Sequence, residues 1–150
     1  MRGICVCMFG IFLSAVACVD TKENGEKKKT KQQSTESSVA KTHPGKLIYM
    51  QFCMACHMAN GEGVPGIYPP LTQTEWVLGD KAKLIGTILH GQQGVIVVKG
   101  ETYNNVMAKL DYLNDQQIAD VLTYVRSNFG NNAEEISPAE VAAVRKNGLP

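Results

Sequence analysis

A run of five residues carries a recognisable chemical pattern. It reads Cys53-Met54-Ala55-Cys56-His57, or C-x-x-C-H. On a helix, positions three apart lie on one face, so both thiols can reach the two vinyl groups of a single porphyrin and form thioether bonds. The adjacent histidine then lies beneath the iron and can ligate it through Nε2. This spacing is the attachment signature of c-type haem.

Two other kinds of site also use cysteine pairs. A zinc site needs two further ligands, and the remaining histidines, His43 and His90, stand alone without a second cysteine pair. A thioredoxin-like dithiol normally lies in a strand-helix-strand context, whereas a predicted helix and a glycine-rich loop flank this pair. The pattern therefore favours covalent haem over both.

A haem iron held by His57 has a sixth coordination position on the other side of the ring. Met50, Met54 and Met58 are too close to His57 in sequence to cross the ring edge and return. Met107 follows about fifty residues later, where a chain that has wrapped the haem would arrive. In isolation such a methionine would more often fill a core. The upstream motif and the capped helix downstream favour Met107 as the second iron ligand.

Helices must position these residues. One is predicted to begin near Pro44, a residue favoured in the first helical turn, and to lead into the cysteine pair. A second is predicted from an N-cap at Asp80 to His90, with Gly91 as its stop. Its buried face is an apolar stripe formed by Leu84, Ile85, Ile88 and Leu89.

Three further elements follow. Residues 94–103 suggest a short hairpin or extended loop. Asn114 and Gln117 form a capping box that starts a helix extending to about Phe129. A small helix is predicted within residues 137–148, and we expect it to decorate the domain.

The composition is typical of one small globular domain with extensions. The chain has 150 residues, of which 44% are hydrophobic and 19% charged. Lysine and arginine number 15 and the acidic residues 14, so no basic surface for nucleic acid is expected. We therefore exclude DNA and RNA as partners.

The N-terminus has the pattern of an export signal. Arg2 precedes an apolar stretch to Val16, and Ala15-Val16-Ala17 places small residues where a signal peptidase cleaves. We interpret residues 1–17 as a signal peptide, because the stretch only just reaches the ~17 to 25 residues that a membrane anchor needs. Cys18 follows directly, as in bacterial lipoprotein signals, although those signals usually have leucine in place of Ala15.

Two outcomes of export stay open: lipidation of Cys18, or plain secretion after the same cut between Ala17 and Cys18. Residues 18–43 are mostly lysine, glutamate, serine, threonine and glutamine. Such a segment cannot bury enough apolar surface to order itself, so we expect a flexible tether. The expected location is the periplasm, with a lipid anchor to a membrane in the first outcome.

From Gly45 to Gly130 the sequence resembles a class I monohaem cytochrome c, especially the small bacterial respiratory domains. The order and spacing of five stretches carry this resemblance: Cys53 to His57, Val64 to Leu71, Leu89 to Gly91, Tyr103 to Met107, and Leu113 to Arg126.

The resemblance implies an all-α fold of three to five helices wrapped around one covalently bound haem. The corresponding domain spans residues 44–131, and residues 132–150 form a C-terminal extension. The first and last helices of the domain should cross, with Gly45 and Tyr49 near Leu122 and Val125.

The resemblance also implies how His57 is oriented. A proline carbonyl after the haem motif accepts the Nδ1 hydrogen of the axial histidine in the family. Pro69 matches that proline best, and Pro70 is the alternative. Leu71 corresponds to a leucine that packs on the haem.

Two aromatic residues, Trp76 and Tyr103, correspond to donors that reach haem propionates in related proteins, although plain core is the commoner role of such residues. One departure concerns the residue after Met107, where the family usually has proline and this sequence has Ala108. A more mobile ligand loop is the expected consequence.

The function implied is that of a monomeric single-electron carrier, not an enzyme, with both axial positions of the iron filled. Its implied partners are redox proteins such as a quinol-oxidising complex, a terminal oxidase or a reductase, docked transiently. Two alternatives stay open: a haem-based sensor with a labile methionine ligand, and an electron-entry subunit of a dedicated enzyme complex.

Overall fold

The computed structural model describes residues 43–148. The predicted signal peptide and all of the predicted tether except His43 lie outside this part of the chain. In chain order its elements are α1 (Pro44–Phe52), α2 (Met54–His57), α3 (Glu75–Leu78), α4 (Lys81–His90), β1 (Ile96–Val98), β2 (Glu101–Tyr103), α5 (Asp115–Ser127) and α6 (Pro138–Asn147). Within residues 43–148, none of the helices combines the length and apolar character needed to cross a bilayer.

Local capping explains where the helices begin. His43 Nδ1 accepts a hydrogen bond from Gly45 N–H at 3.1 Å before α1, and Asp80 caps α4 as predicted. The predicted capping box of Asn114 and Gln117 starts α5. These side chains satisfy N–H groups that have no partner within the helix.

The end of α5 differs from the prediction. The helix stops at Ser127 instead of continuing to about Phe129. Asn128 has an extended backbone, and its side-chain amide donates to the Tyr124 carbonyl at 2.9 Å. Phe129 then adopts a positive φ of 57°, which turns the chain out of the helix.

The packing of α1 against α5 is the main helix crossing of the domain. A Cβ atom on Gly45 would overlap the backbone carbonyl of Asp120, so the two helices approach as closely as they do because residue 45 has no side chain. The ring of Tyr49 lies 5.6 Å from that of Tyr124. The crossing is therefore as predicted, but Asp120 and Tyr124 face α1.

The Leu122 and Val125 side chains, expected at this crossing, share the hydrophobic core with Tyr49 and also line a cavity. They lie on a different face of α5 from Asp120 and Tyr124, because residues four apart share a helix face. One face of α5 thus packs on α1 while another helps to form the cavity wall.

The predicted hairpin is present. Its strands β1 and β2 pair antiparallel, with Ile96 opposite Tyr103 and Val98 opposite Glu101. Lys99 and Gly100 both have positive φ, as a two-residue turn between twisted strands requires. The hairpin places Ile96, Val98 and Tyr103 on the same cavity.

The predicted C-terminal helix, α6, belongs to the packed core. Val141 is 0% exposed, and Ile136 and Val144 are buried with it against residues of α4 and α5. Ser137 and Glu140 form the capping box at its start. We expected a surface decoration, but the apolar face of this helix is covered.

Arg126 is buried, with 4% of its surface exposed. Its Nε donates to the Glu134 carbonyl at 2.7 Å, and its Nη1 donates to the carbonyls of Val77 and Gly79. A buried charge needs such partners. Arg126 thereby ties α5 to the end of α3 and to the segment before α6, a role that no sequence pattern predicted.

Candidate haem site

The two cysteines lie within one helical turn. The N–H groups of Cys56 and His57 both donate to the Cys53 carbonyl, at 3.2 and 2.9 Å. Both thiols are free and line the same cavity. Burial, and secondarily the neighbouring Cys56, raises the pKa of Cys53 to about 11. A neutral thiol is thus favoured, which suits an apolar cavity wall better than a thiolate metal site.

His57 is 8% exposed and tightly oriented. Its Nδ1 lies 2.9 Å from the carbonyl oxygen of Pro69. A carbonyl only accepts, so Nδ1 carries the hydrogen and Nε2 keeps a free lone pair. Burial lowers the pKa of His57, and the hydrogen bond to Pro69 opposes that shift. The neutral imidazole is the form that ligates a metal.

The carbonyl that orients the imidazole belongs to Pro69, not Pro70. The loop that carries it is held at both ends, since Gly63 N–H donates to the His57 carbonyl at 3.1 Å and Leu71 N–H donates to the Gly61 carbonyl at 2.7 Å. Such an outer partner fixes both the tautomer and the ring orientation of a ligating histidine.

Tyr49 holds the helical turn that carries His57, a role that no sequence pattern assigned to it. Its hydroxyl donates to the Met58 carbonyl at 2.6 Å and lies 3.4 Å from the His57 carbonyl. Burial raises the pKa of Tyr49 well above its ordinary value. Tyr49 and Cys53 are four residues apart and therefore share one helical face, and this spacing could have predicted that Tyr49 lies next to the cysteine-histidine turn.

One apolar cavity collects every residue that the sequence predicted for cofactor binding. Its volume of about 290 Å³ is near the lower end of the ~300 to 1,000 Å³ of ligand pockets. The predicted residues that line it are Cys53, Cys56, His57, Pro69, Pro70, Leu71, Trp76, Tyr103 and Met107. Most other lining residues are aliphatic, and they come from α3, α4, α5, the hairpin and the segment around Met107.

Met107 reaches this cavity from a different part of the chain. It pairs with Gln92 in a β-bridge, with N–H···O distances of 2.9 and 3.0 Å. Gly91 allows the close approach, because a Cβ there would overlap the Met107 carbonyl. The main chain at Met107 is thus fixed beside the end of α4.

The structure gives Trp76 a different partner from the propionate that the resemblance implies. Its single N–H donates to the Val97 carbonyl at 3.0 Å, and the Lys83 ammonium lies 3.9 Å from the ring centroid. Tryptophan has one donor only, so a hydrogen bond to a propionate would have to replace the one to Val97, and the propionate role of Trp76 stays a prediction. Tyr103 is buried in the cavity wall, and its hydroxyl has no hydrogen-bond partner among the described residues.

The donor set fits a covalent haem. Two thiols within one helical turn, a neutral oriented imidazole and a thioether sulfur line one apolar cavity. Within residues 43–148, no three His, Cys, Asp or Glu side chains group to hold a metal ion by themselves, which gives the zinc alternative no support. A porphyrin with its own iron therefore suits the cavity.

The sequence profile of the cytochrome c family matches residues 42–129. This chain belongs to the cytochrome c family. The membership confirms the mostly helical fold class and makes the protein an electron carrier rather than an enzyme. It also implies covalent haem c, for which Cys53 and Cys56 are present.

Several relatives of this cytochrome c can be compared over defined lengths. It is 36% identical to cytochrome c-552 of Thermus thermophilus over 124 residues, covering 68% of this chain and 94% of the relative. It is 30% identical over 110 residues to the cytochrome c subunit of the quinone alcohol dehydrogenase of Gluconobacter oxydans, covering 71% of this chain and 23% of that subunit. The cbb3-type cytochrome c oxidase subunit CcoP of Azospirillum brasilense is 37% identical over 71 residues, which are 43% of this chain and 23% of the relative.

Proposed function

We propose that this cytochrome c is a class I, single-haem carrier of the bacterial respiratory type. Cys53 and Cys56 form the thioether bonds, and His57 and Met107 ligate the iron. The single observation that carries the proposal is the hydrogen bond between His57 Nδ1 and the Pro69 carbonyl, which leaves Nε2 free to ligate in the cavity that Met107 also lines.

The remaining cavity residues serve the haem by packing. Pro69, Pro70 and Leu71 form one wall, and Trp76 and Tyr103 contribute aromatic surface. We assign the Tyr103 hydroxyl, but not the Trp76 indole, to a propionate, because the indole N–H already has a partner. The apolar lining excludes water.

When bound, the haem supplies an iron that exchanges one electron at a time between its ferric and ferrous forms. His57 is held in one tautomer by Pro69, and Met107 is held by Gln92, so neither protein ligand has to move between the two oxidation states. The Met107 thioether is a soft donor that favours the reduced iron, and the apolar walls disfavour added positive charge. These residues therefore raise the reduction potential of the haem and limit the structural reorganisation that accompanies electron transfer.

We further infer an exported, periplasmic protein with the organisation 1–17 signal peptide, 18–43 tether, 44–131 haem domain and 132–150 extension. Cys18 is either lipidated, which tethers the domain to a membrane, or the free first residue after secretion. The protein acts as a monomer that docks transiently with redox proteins: a quinol-oxidising complex, a terminal oxidase or a reductase.

A second candidate function is that of an electron-entry subunit in one dedicated complex. Its support is that several relatives are named as cytochrome subunits of dehydrogenases that act on alcohol, gluconate or fructose. Purification from native membranes separates the two: a free carrier elutes alone, whereas a dedicated subunit elutes with an enzyme in fixed ratio.

The test of the proposed ligands is an absorption spectrum of the ferric protein, matured with haem-attachment machinery. The wild type should show the sulfur-to-iron band at the red end of the spectrum, and Met107→Ala should lose it. Met50→Ala, a partly exposed methionine on α1, should keep it. A band that survives in Met107→Ala contradicts the assignment, and a five-coordinate wild type that binds carbon monoxide readily supports a sensor instead.

A further inference from the structure

The chain between Met107 and α5 contains neither helix nor strand. Ala108 has no ring to fix its φ, so the backbone after Met107 must be held by contacts. Upstream, the bridge to Gln92 holds Met107 itself. Downstream, two main-chain hydrogen bonds begin the anchorage: Leu110 N–H donates to the Ile88 carbonyl at 2.8 Å, and Leu113 N–H donates to the Leu110 carbonyl at 3.1 Å.

Arg145 on α6 completes this anchorage. Its Nη1 donates to the Asp111 carbonyl at 2.9 Å, its Nη2 to the Leu113 carbonyl at 2.7 Å, and its Nε to Asp115 Oδ1 at 2.8 Å. The planar guanidinium thus spans both the end of the irregular segment and the first residue of α5. Charge-assisted hydrogen bonds of this kind are stronger than neutral ones.

We propose that α6 braces the Met107 segment and that Arg145 is a positioning residue that keeps the Met107 thioether at the iron. The proposal rests on the assignment of Met107 as an iron ligand made above. It goes beyond the family membership, because α6 lies outside the matched residues 42–129. Arg145 acts on the iron only indirectly, through the carbonyls of Asp111 and Leu113 and the carboxylate of Asp115.

The platform that carries Arg145 is rigid enough for this role. Val141 and Val144 bury the inner face of α6 in the core. At the start of the helix, the Lys81 ammonium of α4 lies 3.2 Å from Glu140 Oε1 and also reaches Glu134. Both the body and the start of α6 are therefore anchored independently of the contacts that Arg145 makes with residues 111–115.

Loss of Arg145 should leave two carbonyls without their protein donor and should loosen residues 108–114. The segment would then keep as main-chain anchors only the hydrogen bonds of Leu110 and Leu113 and the bridge between Met107 and Gln92. States in which the Met107 sulfur has left the iron should become more populated, since local opening is governed by the contacts that oppose it.

The experiment uses the full haem-loaded chain and three variants. Arg145→Gln removes the positive charge and the paired N–H donors of the guanidinium. Arg145→Lys keeps the charge but cannot donate to both carbonyls and Asp115 in the same geometry. Lys146→Gln is the matched control: it makes the same change of charge on the next residue of α6, which has no hydrogen bond or ion pair among the described residues.

Two readouts are needed. Amide hydrogen exchange of Met107, Leu110 and Leu113 reports the segment itself. The rate at which cyanide replaces the sulfur ligand of the ferric protein reports the Met107–iron bond. We expect both to rise about tenfold in Arg145→Gln, the effect of losing roughly one charge-assisted contact, by a smaller factor in Arg145→Lys, and not at all in Lys146→Gln.

The outcomes separate this inference from the proposed function. A wild type without a sulfur-to-iron band contradicts the Met107 assignment and this inference with it. A wild type that shows the band, with exchange or cyanide binding in Arg145→Gln equal to that of Lys146→Gln, overturns the inference alone. If Arg145→Gln does not fold, Arg145→Lys takes its place: amide exchange and cyanide binding faster than in Lys146→Gln support the inference, and equal rates overturn it.

Discussion

Gly45 lies against the backbone of Asp120 so closely that any side chain at position 45 would overlap the Asp120 carbonyl oxygen. The Cβ of Tyr124 would be 2.8 Å away on the same side. The crossing of α1 and α5 thus depends on one missing side chain, and the cysteine-histidine turn follows directly from α1.

Gly45→Ala should therefore lower the free energy of unfolding by about 1–3 kcal/mol, because backbone atoms cannot move aside as a flexible side chain would. Denaturant unfolding of the haem-loaded protein measures the loss. Lys46→Ala, an exposed change on the next residue, should stay within about 0.5 kcal/mol of the wild type. Equal stability of the two variants would show that the crossing tolerates a side chain.

Removal of the haem attachment should unfold much of the protein. The domain is small, and the cavity assigned to the haem lies in its interior, bordered by α4, α5 and the hairpin. A core of this size is marginal without its cofactor. The Cys53→Ala, Cys56→Ala double variant should show a loss of helical circular dichroism, and a native-like helix content would refute the expectation.

Several features of the fold could be predicted because they are local in sequence. The capping box of Asn114 and Gln117 and the apolar stripe of α4 require only neighbouring residues, and both are present in the structure. The placement of Met107 beside the cavity followed from spacing along the chain. Its ligation of iron stays a prediction.

Other features depend on pairs far apart in sequence. The indole of Trp76 donates to Val97, and the guanidinium of Arg126 donates to Val77, 49 residues away. No periodicity or motif links such residues, so neither hydrogen bond could be predicted from the sequence. The buried face of α6 was missed for the same reason, since its partners lie on α4 and α5.

Trp76→Phe should separate the two roles considered for this residue. The variant loses the hydrogen bond to Val97 and weakens the contact with the Lys83 ammonium, so the protein should lose about 0.5–1.5 kcal/mol of stability. The reduction potential should change little, because the indole N–H donates to the Val97 carbonyl in this structure. Tyr103→Phe is the comparison variant and should change the reduction potential more. A redox titration in which Trp76→Phe changes the potential more than Tyr103→Phe would support a propionate role for Trp76.

The start of α6 should respond to acid. Hydrogen bonds from the Ser137 N–H, which has the largest effect, from the Ser137 hydroxyl and from the Lys81 ammonium hold the pKa of Glu140 below its ordinary value. A carboxyl with a lowered pKa in the folded state contributes stability above the unfolded pKa and loses it as pH falls through the folded pKa. Stability should thus decline below about pH 4.5, and Glu140→Gln should remove that part of the decline.

Ser137→Ala provides the second half of this test. The substitution removes the hydroxyl that accepts from the Glu140 N–H, and it should cost about 1 kcal/mol at neutral pH. Unfolding curves at pH 7 and near pH 4 measure both effects. Equal acid sensitivity of wild type and Glu140→Gln would contradict the assigned role of Glu140.

The measurement that tests the central claim most directly is the mass of the denatured, fully matured protein. Denaturation releases a cofactor that is merely bound, whereas thioether bonds survive. The wild type should exceed the mass of its polypeptide by one haem, and the Cys53→Ala, Cys56→Ala variant should match its polypeptide alone. A wild type with no added haem mass, or a double variant that retains it, would contradict covalent attachment at the motif.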